Sequence, residues 1–280
     1  MTARPIRESL QEYARGLAGG LLFSLPLLYT MEMWWAGHNA PPERLLVIIA
    51  LTFVLLLGYN HFAGLREESD LASDVFESIE EMGLGLLLAL LMLAVLGQLT
   101  ADASVGEVVG KVVMEGMTAA IGLSVGTEQL GDITQPERLR RMGREGEIVL
   151  AGLGAVLVAA NVAPTEEVLM IAVETSPWAL IGLAALSVAM AWLLLHYSEF
   201  KGAGRVARTR LTGFALGGAI VTYAVALAMA AALLWADGRF DGAGWVAGVR
   251  QVVVLGFPAV LGAAAARLLL GAGLDEGEDE

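Results

Sequence analysis

Long apolar stretches alternate with short polar connectors along this chain. Each stretch reaches or approaches the roughly 20 residues that a helix needs to cross a lipid bilayer. The pattern predicts eight such spans, at about 15–36, 42–62, 71–99, 104–125, 147–163, 177–196, 208–236 and 245–270. We therefore predict an all-α, polytopic membrane protein with eight transmembrane helices in contact with the lipid bilayer.

The second half of the chain repeats the spacing of the first half. The interval from Pro42 to His61 is the same as the interval from Pro177 to His196. The shift that relates these two pairs also superimposes Gly19 on Gly154, Thr30 on Thr165 and Glu32 on Glu167. The segment 111–122 resembles 251–262 with a slightly larger shift. We predict a tandem 4+4 repeat, with a first four-helix repeat at 1–125, a connector at 126–146, a second four-helix repeat at 147–270 and an acidic tail at 271–280.

Positively charged residues lie on one side of this arrangement. They precede the first span, fill the central connector and follow the sixth span: Arg4, Arg7, Arg15, Arg138, Arg140, Arg141, Arg144, Lys201, Arg205, Arg208 and Arg210. Such residues mark the cytoplasmic side of a membrane protein, so both termini are predicted to be cytoplasmic. Because four spans per repeat is an even number, the two repeats enter the membrane from the same side and are parallel.

Composition excludes several classes of function. The hydrophobic fraction of 56% exceeds that of a soluble domain, and the net charge of −13 argues against nucleic acid as a partner. The chain has no cysteine, which excludes disulfides and thiolate metal sites. It also lacks the phosphate-binding loop, the dinucleotide fingerprint and the common nucleophile motifs. We therefore expect neither an enzyme nor a bound cofactor.

Glu115 is the strongest candidate for a functional residue. It lies near the middle of the fourth span, where an ionised carboxylate costs at least about 2.5 kcal/mol and is normally functional or paired. Glu107, Lys111 and Glu115 follow one another every four residues and share a helix face that Thr118 extends. This face predicts a cation pathway in which Glu115 binds the ion or carries a proton. The alternative is an ion pair between Lys111 and Glu115 that holds helices together.

A second candidate set lies near the outer membrane face. Its members carry hydroxyl, amide or carboxylate oxygens: Thr30, Glu32, Asn161, Glu166 and Glu167. Such oxygens suit hard cations, including Na⁺, K⁺, Mg²⁺ and Ca²⁺. Asn161 and Pro164 also predict a break in the fifth span, which would expose backbone groups to an ion. The alternative is that Glu32 simply reaches interfacial water beside Trp34 and Trp35.

Acidic residues form one helix face at the start of the third span. Asp70, Asp74, Glu77 and Glu81 are four, three and four residues apart, and Glu80 lies beside them. This face indicates a cytoplasmic cation vestibule or a divalent-ion sensor. The alternative is electrostatic attraction to the basic residues of the second repeat.

His61 and His196 end the second and sixth spans at equivalent positions. Histidine titrates near neutrality, so the pair could form a pH switch. The alternative is that each histidine binds the last carbonyl groups of its own helix.

The first span resembles a known family. The run 20–35, Gly-Leu-Leu-Phe-Ser-Leu-Pro-Leu-Leu-Tyr-Thr-Met-Glu-Met-Trp-Trp, together with the eight-span layout, resembles a bacterial family of integral membrane proteins of unknown function. The resemblance covers most of the chain and implies a bacterial inner-membrane protein. It implies no activity and no site residue.

Three functions remain in view. The leading hypothesis is an inner-membrane cation channel or transporter, with inorganic cations as partners and intramembrane carboxylates along the pathway. The second is a membrane scaffold that recruits a soluble partner through its acidic cytoplasmic surface and tail. The third is an intramembrane enzyme acting on lipid, which the separation of about half a bilayer between Glu115 and the histidines disfavours. The Gly- and Ala-rich helix faces also permit a homo-oligomer.

Overall fold

A computed structural model of the protein describes residues 6–63, 71–129, 144–198 and 215–272, and every regular element within these ranges is a helix. The chain divides into two compact units, Met1–Thr134 and Gln135–Glu280. Each unit builds its own core around the last of its helices.

The first unit contains five helices, which are α1 Ile6–Leu28, α2 Met31–Asn39, α3 Pro42–Ala63, α4 Leu71–Val95 and α5 Val105–Gln129. Helix α5 is central, because each of the other four packs against it. Its residues from Val113 to Ser124 are all buried. A membrane helix enclosed in this way can carry polar side chains without exposing them to lipid.

The second unit has the same order of long and short helices. They are α6 Arg144–Ala159, α7 Glu166–Glu174, α8 Pro177–Ser198, α9 Ala215–Ala236 and α10 Trp245–Ala272. Helix α10 packs against the other four. Its core is built mainly of alanine, valine and leucine, with Ala155, Ala226 and Ala259 fully buried.

Six helices are long and apolar enough to cross a membrane, rather than eight. They are Pro42–Phe62, Leu71–Val95, Val105–Thr127, Pro177–Leu195, Leu216–Ala236 and Trp245–Arg267. These six match six of the predicted spans to within a few residues at the ends that the structure describes. The predicted connector and tail lie largely outside the described residues.

The predicted first span, 15–36, is wrong as a single straight helix. Helix α1 ends at Leu28, and α2 leaves it at an angle of 87°. Pro26 lies in the last turn of α1, where its ring nitrogen has no hydrogen to donate to the preceding turn. The hydroxyl of Thr30 then donates to the carbonyl of Pro26 at 2.6 Å, which closes the end of the helix. If the bent pair is counted as one span, the total becomes seven.

The predicted fifth span, 147–163, is also shorter than expected. Helix α6 has 16 residues and ends at Ala159, and turns lead from there to α7. The break falls where Asn161 and Pro164 predict it. Asn161 donates its side-chain amide to the carbonyl of Leu157 at 2.8 Å, so it completes the end of α6.

Glycines bring the first and last helices of each unit into close contact. A methyl group at Gly19 of α1 would lie 2.4 Å from the Cα of Gly126 in α5. A methyl group at Gly154 of α6 would lie 2.4 Å from the carbonyl oxygen of Gly262 in α10. Both contacts are to backbone atoms, so only glycine permits these helix spacings.

Replacing Gly19 with alanine should destabilise the first unit by about 1–3 kcal/mol, the usual cost of extra methyl groups in a packed interface. The new methyl meets the backbone of α5, which cannot move aside as a side chain can. Gly83→Ala is the matched control, since nothing lies within 4 Å of a methyl group there. The measurement is thermal unfolding of both variants in detergent. Equal melting temperatures would contradict the close packing of α1 on α5.

Candidate functional site

A cluster of buried polar side chains lies in the first unit, where three helices meet. Asn60 comes from the last turn of α3, and Ser124 from the last third of α5. Helix α4 contributes Asp74, Ser78 and Glu81, which are four and three residues apart and so share one helix face. All five side chains are at most 8% exposed. We call these five residues the polar cluster.

The amide of Asn60 joins the three helices. Its Nδ2 donates to Oε2 of Glu81 at 2.9 Å and to Oγ of Ser78 at 3.1 Å. Its Oδ1 accepts a hydrogen bond from Oγ of Ser124 at 3.3 Å. Ser78 in turn donates to the backbone carbonyl of Asp74 at 2.7 Å. The carboxylate of Glu81 therefore has a neutral amide as its partner.

His61 connects the polar cluster to the end of α3. Its Nδ1 lies 3.0 Å from Oδ2 of Asp74, and its side chain is 54% exposed whereas that of Asp74 is 1% exposed. The second oxygen of Asp74, Oδ1, has no hydrogen-bond partner among the residues that the structure describes. An accessible imidazole therefore touches one side of a buried carboxylate whose other side can accept a further hydrogen bond.

Glu81 lies well inside the membrane-spanning part of α4. Almost four helical turns separate it from Val95, the last residue of that helix. At a rise of 1.5 Å per residue this is about 21 Å, compared with about 30 Å for the hydrocarbon core of a bilayer. A helix that reaches the far edge of that core at Val95 holds Glu81 within the core.

The predicted acidic face is thus divided between two environments. Asp74 and Glu81 are buried in the polar cluster, whereas Glu80 is exposed and accepts a hydrogen bond from the hydroxyl of Tyr13 at 2.5 Å. Glu77 is half-buried. Asp70 lies outside the described residues, and so do Arg205, Arg208 and Arg210, on which the alternative of attraction between the repeats depends.

Glu115 occupies a separate position in α5. Its side chain is 1% exposed. Lys111 donates to Oε1 of Glu107 at 2.6 Å and to the carbonyl of Gln98 at 3.1 Å, so its acidic partner is Glu107. His38 of α2 lies 3.3 Å from the other oxygen of Glu107. These contacts hold together the end of the unit opposite to the polar cluster.

Glu115 and the polar cluster lie on opposite faces of α5. Gly122 and Gly126 pack against α1, and Glu115 precedes Gly122 by seven residues, which places it on the same face. Ser124 follows Glu115 by nine residues, or two and a half helical turns. Thr118 is buried and continues the face of Glu115. The polar face predicted for α5, which contains Glu107, Lys111, Glu115 and Thr118, is therefore separate from the polar cluster.

The outer candidate residues are engaged mainly in helix ends and surface contacts. The Thr30 hydroxyl bonds Pro26, and that of Thr165 donates to the carbonyl of Val162 at 2.8 Å. Glu166 pairs with Arg239 at 3.2 Å. Glu32 is half-buried and Glu167 is exposed. Within the described ranges no group of three His, Asp or Glu side chains is arranged to hold a metal ion.

The second unit contains a different kind of buried polar contact. Arg267 of α10 donates to Oε2 of Glu147 in α6 at 2.9 Å and to Oγ1 of Thr222 in α9 at 2.6 Å. Arg250 donates to the carbonyls of Ala172 and Thr175 and so closes the end of α7. The side chain of His196, the second histidine of the predicted pH switch, is not among those described.

Sequence reasoning missed the neutral members of the polar cluster, Asn60, Ser78 and Ser124, and the buried Arg267. A signal existed for two of them. Ser78 completes the spacing of four and three residues between Asp74 and Glu81, and Arg267 interrupts an apolar run. Asn60 and Ser124 carry no such signal, because isolated polar residues also occur in membrane helices as packing contacts.

Replacing Arg267 with methionine should destabilise the second unit by about 3–5 kcal/mol, because it removes the cation from a buried carboxylate. The double variant Arg267→Met with Glu147→Met should recover most of this loss, since apolar replacement of both partners is often nearly neutral. Thermal unfolding of the two variants and the wild type is the measurement. A double variant no more stable than Arg267→Met would contradict a structural role for this pair.

Comparison with known proteins supports the membrane assignment. The family model described as "Putative integral membrane protein (DUF2391)" matches residues 12–270 of the chain. No curated protein and no solved structure matches the chain. The matched range includes all six candidate spans and the whole of the polar cluster. The chain therefore belongs to the DUF2391 family of integral membrane proteins, and the resemblance of its first span is confirmed.

Proposed function

We propose that this protein is a cation channel or transporter of the bacterial inner membrane, with buried carboxylates along its pathway. One observation carries the proposal. The carboxylate of Glu81 lies inside a membrane-spanning helix, and the partner that holds it is the neutral amide of Asn60. Ionisable residues in such positions are costly, and in membrane proteins they commonly mark ion pathways.

The second unit provides the contrast that supports this reading. There Glu147 meets the guanidinium of Arg267, so its charge is balanced by a fixed cation. In the described part of the chain no lysine, arginine or histidine lies within ion-pair distance of Glu81. Glu77 lies nearby on the same helix and adds to the negative potential. A mobile cation is then the natural source of the balancing charge.

The positions of Glu115 and of the polar cluster favour a carrier over an open pore. Glu115 faces α1 and the polar cluster faces α3 and α4, on opposite sides of α5. Their separation along α5, nine residues from Glu115 to Ser124, is about 14 Å. Because these faces are on opposite sides of a buried helix, transfer between them requires α5 or its neighbours to move.

We also propose that the two units are a parallel 4+4 repeat with cytoplasmic termini. The contacts at Gly19 and Gly154 support it, because these two residues correspond in the repeat. Their partners in α5 and α10 correspond as well, since Gly122 and Gly262 are the last residues of the two similar segments 111–122 and 251–262. The short helices α2 and α7 follow α1 and α6 at matching places, each nine residues long.

In this arrangement α1 and α6 each cross the bilayer, and α2 lies along the outer interface. Trp34 and Trp35 in α2 support the interfacial placement, because tryptophan concentrates at membrane surfaces. Each repeat then crosses the membrane four times. This is the predicted even number of spans per repeat, although the first span is not a single straight helix.

Glu81→Gln should lower cation flux into proteoliposomes by at least about tenfold, which corresponds to about 1.4 kcal/mol of lost binding. Glutamine keeps the shape and can still accept from Asn60, so the fold should persist. Fluxes of H⁺, K⁺, Na⁺, Mg²⁺ and Ca²⁺ are measured separately, and Glu115→Gln is expected to lower flux as well.

Glu80→Gln is the matched control for this experiment. It makes the same change one residue away, on an exposed side chain outside the polar cluster, so it should retain wild-type flux. Wild-type protein that is folded yet passes no ion would overturn the proposal, and so would wild-type flux through Glu81→Gln.

A further inference from the structure

We propose that the cation is the proton and that Glu81 binds it, with His61 and Asp74 as the pair that exchanges it with the cytoplasmic side. This inference rests on the proposed function and names the ion that it leaves open. It stands on the hydrogen-bond directions around Glu81, on the unpartnered oxygen of Asp74 and on the exposure of His61.

The groups around Glu81 are poorly arranged for a metal cation. Such ions take several oxygen ligands, as many as six to eight for Ca²⁺. At Glu81 the nearest polar group is the Nδ2 of Asn60, whose hydrogens are directed at Oε2 of Glu81 and Oγ of Ser78. The amide oxygen accepts from Ser124, whose hydroxyl also lies close to Glu81. A cation in this place would meet the positive end of the amide and would have to displace it.

A proton fits the same arrangement without displacing any group. Asn60 occupies Oε2 of Glu81 as a donor, so a proton can bond to Oε1 and convert the carboxylate into a carboxylic acid. Release breaks that O–H bond and returns the proton to water, and no other reactant is needed. Neutralisation by a proton is also the usual response of a carboxylate that lies in an apolar region without a fixed cation.

The polar cluster also supplies an exchange point at the end of α3. His61 is half exposed and contacts Asp74, so its imidazole can take a proton from water and pass it to the buried carboxylate. The Oδ1 of Asp74 has no partner among the described side and main chains, and it can accept a hydrogen bond from a mobile donor. Ser78 lies between Asp74 and Glu81 on the same face of α4. Chains of Asp, Glu and His are the usual proton relays of membrane transporters.

The charged neighbours of Glu81 favour the same ion. Glu77 is on α4 itself, and Asp74 lies two helical turns before Glu81, whereas Glu80 is exposed and bonded to Tyr13 of α1. From α3 the facing groups are Asn60 and His61, and from α5 the facing group is Ser124, so His61 is the titratable base in contact with this cluster. The acidic side chains of Asp74 and Glu77 favour a positive charge at Glu81, and His61 gives that charge a route from water.

The decisive experiment measures proton entry into proteoliposomes that contain a trapped pH-sensitive dye, driven by a potassium diffusion potential that valinomycin sets. Wild-type protein should acidify the interior. Glu81→Gln should reduce the rate to that of protein-free vesicles, Asp74→Asn should reduce it in part, and Glu80→Gln should leave it unchanged. Flux of Na⁺, K⁺, Mg²⁺ and Ca²⁺ is measured without valinomycin in parallel vesicles.

The outcomes separate this inference from the proposed function. Proton flux that disappears in Glu81→Gln supports both. Flux of a metal cation without proton flux overturns the inference and leaves the proposed function standing. Absence of flux of every ion overturns both.

A second readout does not depend on transport. Infrared difference spectra of the purified protein between acidic and alkaline buffer should show the carbonyl band of a protonated carboxyl group that Glu81→Gln removes. Glu80→Gln should retain that band. Its persistence in Glu81→Gln would overturn the assignment of the proton to Glu81.

Discussion

The arrangement of the first unit depends on the hydrogen bond between Asn60 and Glu81. In hydrocarbon a polar group must find its partner within the protein, since no water is at hand to supply one. Asn60 meets this requirement for residues of three helices at once: it donates to Glu81 and Ser78 of α4 and accepts from Ser124 of α5. The amide therefore fixes the register of α3, α4 and α5, and it does so without neutralising the carboxylate. That combination holds the carboxyl group of Glu81 in a defined place with a neutral hydrogen-bond partner.

The second unit also satisfies a largely buried carboxylate within the protein, but it uses an ion pair. Arg267 balances Glu147 and binds Thr222, so charge and hydrogen bonds are both satisfied within the protein. Leu255 stands at the repeat position of Glu115, and Gln251 at that of Lys111. If the chain arose by duplication, the two copies have since diverged in their polar residues while keeping the glycine contacts at Gly19 and Gly154. The polar cluster belongs to the first unit, and the buried ion pair of Arg267 with Glu147 belongs to the second.

Much of the fold follows from the sequence, because apolar runs of about 20 residues leave few alternatives in a membrane. The bend after Leu28 does not, because prolines such as Pro26 also occur inside membrane helices that continue past them. The partner of Lys111 is a similar case. Glu107 and Glu115 are each four residues away, and the choice depends on His38 and Gln98, which other parts of the chain bring into place.

Part of the candidate site could also be predicted from the sequence. Spacing alone places Asp74 and Glu81 on one helix face, because the helical period is a local property. Their meeting with Asn60 and Ser124 depends on how three helices align, which local patterns do not encode. Buried carboxylates were therefore found from the sequence, whereas the neutral side chains that determine what those carboxylates can do came only from the structure.

Chemical labelling with a hydrophobic carbodiimide shows whether Glu81 binds a proton within the membrane. Such reagents react with carboxyl groups that are protonated and lie in apolar surroundings, and peptide mapping by mass spectrometry then locates the adduct. The account predicts modification of Glu81 in membranes, stronger at acidic pH, with the exposed Glu80 left unmodified beside it. Modification of Glu80 with Glu81 unreactive across the pH range would contradict a proton-binding carboxyl group within the membrane.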